Sequence, residues 1–226
     1  MTRLAPPILV ASLLLTLLAS CTSPQAPAGN PIADPIADPI ADPIADYETA
    51  SNPANSAPQE QLIAQPPADW QVIYQLNTSS TRLKDFLPAD ESEQDWHNRI
   101  SFEAHQRLTD LDPIETLLRE VQKSRESCTS LQDFNLFSGL ENNYPTSTRL
   151  LLCSNNAYSK QGEISMLKVI QGNDYLYIVR MVKRVPSFTE GEPDMAKPEI
   201  AEWSSYLSNI LVCDERSAAH PCPTAG

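Results

Sequence analysis

Glycine is scarce, with 6 in 226 residues. None stands in a Gly-x-Gly-x-x-Gly run, a Gly-x-x-x-x-Gly-Lys loop or a Gly-x-Ser-x-Gly elbow, so neither phosphate cradling nor an elbow nucleophile has a local signature. Histidine is scarcer still: His97, His105 and His220 are all there is, and none falls in His-Glu-x-x-His. No Cys-x-x-Cys occurs and His220 stands only one residue removed from Cys222, a poor spacing for structural zinc. Cations are also few. Lys+Arg number 16 against 29 Asp+Glu, for a formal net charge of −13, which argues against nonspecific attraction to nucleic acid or anionic lipid while leaving room for a small positive site. These absences assign no catalytic, cofactor-binding or metal-ligating residue.

Residues 22–68 lack Lys, Arg, Phe, Trp, Cys, Met and Val, yet hold ten of the 20 prolines together with Asp34, Asp38, Asp42, Asp46, Glu48 and Glu60. Such a stretch cannot bury enough apolar surface to offset the entropy of ordering. Within it, Pro-Ile-Ala-Asp repeats four times from Pro31 to Asp46. Each proline fixes its own φ and disfavours helix at the residue before it. An extended, self-repelling spacer is expected, reaching roughly 140 Å when drawn out. A recognition motif is the rival reading of the repeat.

What is present begins at the N-terminus. Met1-Thr2-Arg3 precedes an apolar run from Leu4 to Leu18, interrupted only by Ser12 and Thr16 and by the Pro6-Pro7 break. That is a signal-length core, shorter than the roughly 18 to 20 apolar residues of a membrane span. It ends in Leu18-Ala19-Ser20-Cys21, which resembles the lipobox of bacterial lipoproteins. The resemblance implies cleavage after residue 20, a diacylglycerol thioether on Cys21 and acylation, typically by palmitate, of its new amine. Three acyl chains would anchor in practice permanently. Cleavage would remove only Arg3 among the charged residues. With Thr22 rather than aspartate after the cysteine, the family pattern points to the periplasmic face of the outer membrane rather than to retention in the inner one.

The remaining cysteines, Cys128, Cys153, Cys213 and Cys222, are even in number, as expected in an oxidising compartment. Of the three pairings, Cys213 with Cys222 would close a short Pro-containing loop, and Cys128 with Cys153 would pin a helix end to a strand.

From residue 69 to 223 the composition is that of one globular domain, with 224–226 as a tail. Trp70, Val72, Tyr74 and Leu76 alternate with polar residues, and Asn77-Thr-Ser-Ser-Thr81 turns into a second apolar run ending at Pro88: a hairpin. Asn77-Thr78-Ser79 also matches a glycosylation acceptor, read here as turn chemistry. Ser92 to Asp95 suits a helical turn, and Ile100, Phe102 and Ala104 follow on a strand or a short helix. Asp112 at the N-cap, Pro113 at the first helical position and Glu115 predict a helix from Pro113 to about Ser124. Two further hairpins are expected, 131–140 with 144–153 around Asn142-Asn143, and 164–170 with 175–182 around Gly172-Asn173. The second is apolar on both faces, as in the middle of a covered sheet. A last helix would carry Ile200, Trp203, Leu207 and Ile210. The fold class is therefore α+β, a mainly antiparallel sheet covered by two principal helices.

Trp96 after an acidic loop, Ile164 to Val182 with its Gln171-Gly172-Asn173 turn, and the Trp203 helix running into Leu211-Val212-Cys213 together resemble the sandwich of the PsbP and Mog1 group and conserved uncharacterised lipoproteins of Gram-negative bacteria. The likeness covers most of 69–223 and is one of pattern, so it transfers no functional residue.

For chemistry, His97 and His105 would share a face if both lay on one strand, leaving a paired site open beside the plainer reading of exposed or satisfied histidines. Lys168, Arg180, Lys183 and Arg184 gather positive charge on the central hairpin, either to meet an acidic partner or glycan or to pair with local carboxylates. The expected role is a non-enzymatic accessory that binds a periplasmic protein or glycan or helps assemble the envelope. The alternative is a periplasmic hydrolase of wall or lipid fragments, which requires a cleft with a His or carboxylate pair. Ligand carriage in an apolar groove between sheet and helix is a third reading.

Overall fold

The computed structural model describes residues 59–106, 111–189, 193 and 197–223. Cys21, the signal segment, the Pro-Ile-Ala-Asp repeats and the tail lie outside the described residues. Eleven elements follow in order: β1 (Glu60–Ile63), β2 (Trp70–Asn77), β3 (Thr81–Pro88), β4 (Asn98–Gln106), α1 (Pro113–Ser127), β5 (Leu131–Glu141), β6 (Tyr144–Cys153), β7 (Gly162–Gln171), β8 (Tyr175–Val185), α2 (Lys197–Ser208) and β9 (Leu211–Asp214). Seven strands make one antiparallel sheet in the order β2-β3-β4-β8-β7-β6-β5, and β1 pairs with β9 in a separate ribbon. The class is α+β. β1 lies within the stretch read as linker, ahead of the globular boundary expected at residue 69.

β7 and β8 sit at the centre of the sheet and are apolar on both faces because both faces are covered. On one side Leu117 and Val121 of α1 pack on Leu151, Leu167, Val169, Leu176 and Ile178. On the other, Leu207 and Ile210 meet Leu150, Leu152, Ile164, Met166, Val179 and Met181. The β1–β9 ribbon continues this second layer, with Leu62 and Val212 packed among Ala104, Tyr144, Ile170 and Tyr177. Each fully buried side chain of this size contributes about 1.5 to 3 kcal/mol.

Local chemistry sets the helix ends. Asp112 Oδ1 accepts from the amides of Ile114 at 2.7 Å and Glu115 at 3.1 Å, with Pro113 following it. The helix runs one turn longer than the sequence suggests and stops at Cys128, whose disulfide to Cys153 ties it to β6. α2 ends at Ser208, so Ile210 lies past it rather than on it. There the buried Lys168, 1% exposed, donates from Nζ to the carbonyls of Leu207 at 2.7 Å and Ile210 at 2.6 Å and pairs with Glu141. A cation on the central strand thus caps a helix C-terminus in the next layer.

The second disulfide, Cys213–Cys222, closes the loop after β9. Chain entropy assigns a loop of this size about 2.5 kcal/mol. Cys213→Ser with Cys222→Ser should lose up to that amount in guanidinium denaturation. An unchanged midpoint would mean that hydrogen bonds alone hold that loop.

Candidate functional site

β1 carries one acid, Glu60, and burial of a carboxylate demands donors. Glu60 is 3% exposed. Its Oε2 accepts from the Asn173 amide at 2.5 Å and the Tyr144 hydroxyl at 3.1 Å, while Oε1 accepts from the amides of Asp174 at 3.1 Å and Tyr175 at 3.3 Å. The Tyr177 phenol lies close enough to feel its charge. The turn between β7 and β8 is therefore a nest of backbone amides closed on a carboxylate. Gly172 is required by that approach: a Cβ there would come within 2.2 Å of Glu60 Oε1. Burial first, and the adjacent Glu60 charge second, push the Tyr144 and Tyr177 phenols far above their ordinary range, so both stay donors.

The segment after β9 reinforces this arrangement. Asn142 and Asn143, both at positive φ in the turn between β5 and β6, reach through their side-chain amides the carbonyl of Val212 in β9 and those of Pro221 and Ala219 beyond it. His220 stacks on Tyr144, with ring centroids 3.9 Å apart, and its Nδ1 lies 2.9 Å from the Asn142 carbonyl.

Two open cavities flank Glu60. One, about 440 Å³, runs between the edge of β1 and the face of β2, β3 and β4, with Leu62, Ala64, Phe102, Ala104 and Tyr177 as apolar lining, Arg82 and Lys84 as cations and Glu60 and Glu103 as carboxylates. The other, about 390 Å³, is polar, lined by Gln59, Gln106, Asn173, Asp174, Tyr175 and Arg216. Arg82 donates to the Tyr175 hydroxyl at 3.1 Å and lies 4.9 Å from that ring's centroid. Neither Arg82 nor Lys84 makes an ion pair among the described residues. The arrangement can recognise an amphipathic, negatively charged group. Glu60, its only deeply buried carboxylate, has its acceptor positions taken by donors and is a latch rather than a base.

The histidines stay apart. His97 precedes β4 and its ring is largely exposed beside Glu91. His105 lies on β4, on the α1 face, with Nε2 2.9 Å from Glu103 Oε2; it lines neither cavity. The cation group of the central hairpin also divides. Lys168 and Lys183 point to the α2 side and pair with Glu141 and Glu199, whereas Arg180 and Arg184 point to the α1 side and pair with Glu120 and Glu163. Alternation along a strand sends neighbours to opposite faces, so no single patch forms. Among the described residues, no group of three or more His, Cys, Asp or Glu is placed to hold a metal.

The Glu103 hydrogen bond is the main cause raising the His105 pKa above the ordinary 6.5, with burial opposing it. A raised folded pKa contributes stability that is fully present below 6.5 and lost as pH rises through the folded value. An NMR titration should place the His105 midpoint above 6.5, and Glu103→Gln should bring it down; an unmoved midpoint would remove the pairing as cause.

No protein-family model matches the chain, and no curated protein matches it. Among solved structures, a point mutant of protein Mog1 superimposes with a TM-score of 0.35 at 11% identity, over 65% of this chain and 84% of that one. LpqN, described as involved in cell envelope biogenesis of Mycobacterium tuberculosis, gives 0.36 at 9%, over 70% and 87%. The Saccharomyces cerevisiae Ran-binding protein Mog1p gives 0.32 at 10%, over 66% and 85%. At these values the likenesses carry no argument about function.

Proposed function

We propose that this chain is a lipid-anchored envelope protein whose domain binds a partner without chemical turnover. The observation that carries the binding reading is the groove beside β1: an apolar floor, two cations without ion-pair partners among the described residues and a buried carboxylate, Glu60, already held by donors. Such a surface offers recognition. The Leu18-Ala19-Ser20-Cys21 sequence supports the anchor, with diacylglycerol on Cys21 and the periplasmic face of the outer membrane as the expected location. Two disulfides favour an oxidising compartment. Residues 22–59 would then serve as the spacer, with a drawn-out reach of roughly 120 Å.

Intact mass and membrane fractionation of wild type beside Cys21→Ala test the anchor. Wild type should carry the mass of its acyl chains and sediment with outer membranes, and the variant should be soluble. A soluble, unacylated wild type would end the lipoprotein reading.

A further inference from the structure

We propose that the groove beside β1 receives an extended acidic segment of a partner protein, which lies along the open edge of β1 as a third strand of the β1–β9 ribbon. This deepens the binding reading and depends on it, though not on the lipid. Among the described residues β1 pairs along one edge, with β9, and residues 59–62 and 64, in and beside it, form one wall of the groove. An unpaired strand edge is a template for main-chain hydrogen bonds. Affinity from such pairing needs side-chain pockets to become specific, and the opposite wall supplies them.

Arg82 and Lys84 stand two apart on β3, on the face that looks into the groove. Their spacing along the strand is about 6.8 Å, the same as that of side chains i and i+2 on an extended peptide. An acid-x-acid sequence would therefore meet both cations from one face. Between them and β1 lie Phe102 and Tyr177, which suit apolar side chains of the same peptide. In a chain of net charge −13, most described cations near the sheet are held by carboxylates, as Lys168, Arg180, Lys183 and Arg184 are. Arg82 and Lys84, side by side in the groove and without an ion-pair partner among the described residues, mark where negative charge from outside is accepted. Charge complementarity of this exposed kind acts mainly on encounter and specificity.

The test uses the full chain with Cys21→Ala and a fluorescein-labelled synthetic peptide, Val-Val-Asp-Val-Glu-Val-Val, read by fluorescence anisotropy. Binding is expected, weakened about tenfold by Arg82→Ala with Lys84→Ala, by the Asn/Gln version of the peptide, or by raising salt from 0.05 to 0.5 M, in proportion to two lost exposed charge pairs. Both side chains are exposed, so the double variant should keep its circular dichroism. No binding, or binding indifferent to both the variant and the neutral peptide, overturns the proposal. Binding that appears only in a chain carrying Asp46→Asn and Glu48→Gln overturns it too, assigning the groove to the chain's own acid-x-acid sequence. The Cys21 fractionation decides the anchor separately, so the two readings fail independently.

Discussion

Glu60→Ala should lower the free energy of unfolding by about 4 kcal/mol, the sum expected when several hydrogen bonds to one buried charge are lost and their donors left behind. Three backbone amides of the turn from Asn173 to Tyr175 and the Tyr144 phenol donate to this carboxylate. Because the turn is backbone, those amides cannot rearrange to find other partners without opening the hairpin. β1 would lose its hold on the large sheet, since among the described residues its only strand partner is β9. Guanidinium denaturation gives the magnitude, and hydrogen exchange gives the place. The amides of Asn173, Asp174 and Tyr175 should exchange faster while Leu167 and Val169 in the centre of β7 keep their protection relative to global unfolding. Glu60→Gln preserves shape but turns an NH2 toward donors, so it should recover less than half of the loss. A cost below about 1 kcal/mol for the alanine variant would show that water replaces the carboxylate at little expense.

Lys168→Met should cost about 3 kcal/mol, because removing one member of a buried ionic group leaves its partners uncompensated. Methionine fills the stem of the lysine but offers nothing to the carbonyls of Leu207 and Ile210 or to Glu141. Burial lowers the Lys168 pKa, and the Glu141 hydrogen bond opposes that shift. The ammonium is thus held in an unfavourable place by its contacts. A double-mutant cycle with Glu141→Gln should return a coupling above about 1 kcal/mol, as expected of residues in direct contact. A single variant within about 0.5 kcal/mol of wild type would mean that α2 finds another cap. The consequence for function is indirect: α2 and the β1–β9 ribbon share one layer, and Ile210 leads directly into β9.

Elements whose determinants are local were readable in advance. Asp112-Pro113 starts α1, Asn142-Asn143 and Gly172-Asn173 turn their hairpins, and the double-faced apolar character of Ile164 to Val182 reflects its central place. The stretch from residue 98 to 106, open between strand and helix in the sequence, is β4. Ile100, Phe102 and Ala104 face the α2 layer while Ser101, Glu103 and His105 face the α1 side, a period of two that a short window does not separate from one helical turn. β1 was missed for a different reason. Four residues inside a proline-rich acidic stretch have no strand signal of their own, and their partner lies about 150 positions away at β9.

The candidate site was less legible than the fold. Gln171-Gly172-Asn173 was visible as a turn, but nothing local indicates that its amides would surround Glu60. Lys168, Arg180, Lys183 and Arg184 look like one patch along the chain and become four separate ion pairs in space. Arg82 and Lys84, unremarkable in the sequence, are the cations left in the groove.

The signal-like start with its cysteine, the acidic repeat, the even cysteine count, the α+β class and most hairpins are legible along the chain, since their signals come from residues close together in sequence. Only the folded chain brings Glu60 against the turn between β7 and β8, makes Lys168 a helix cap and opens a groove with two exposed cations beside β1. Those depend on long-range pairing between elements, where the free energy of burying a charge is settled by partners that only the folded chain brings within hydrogen-bond distance.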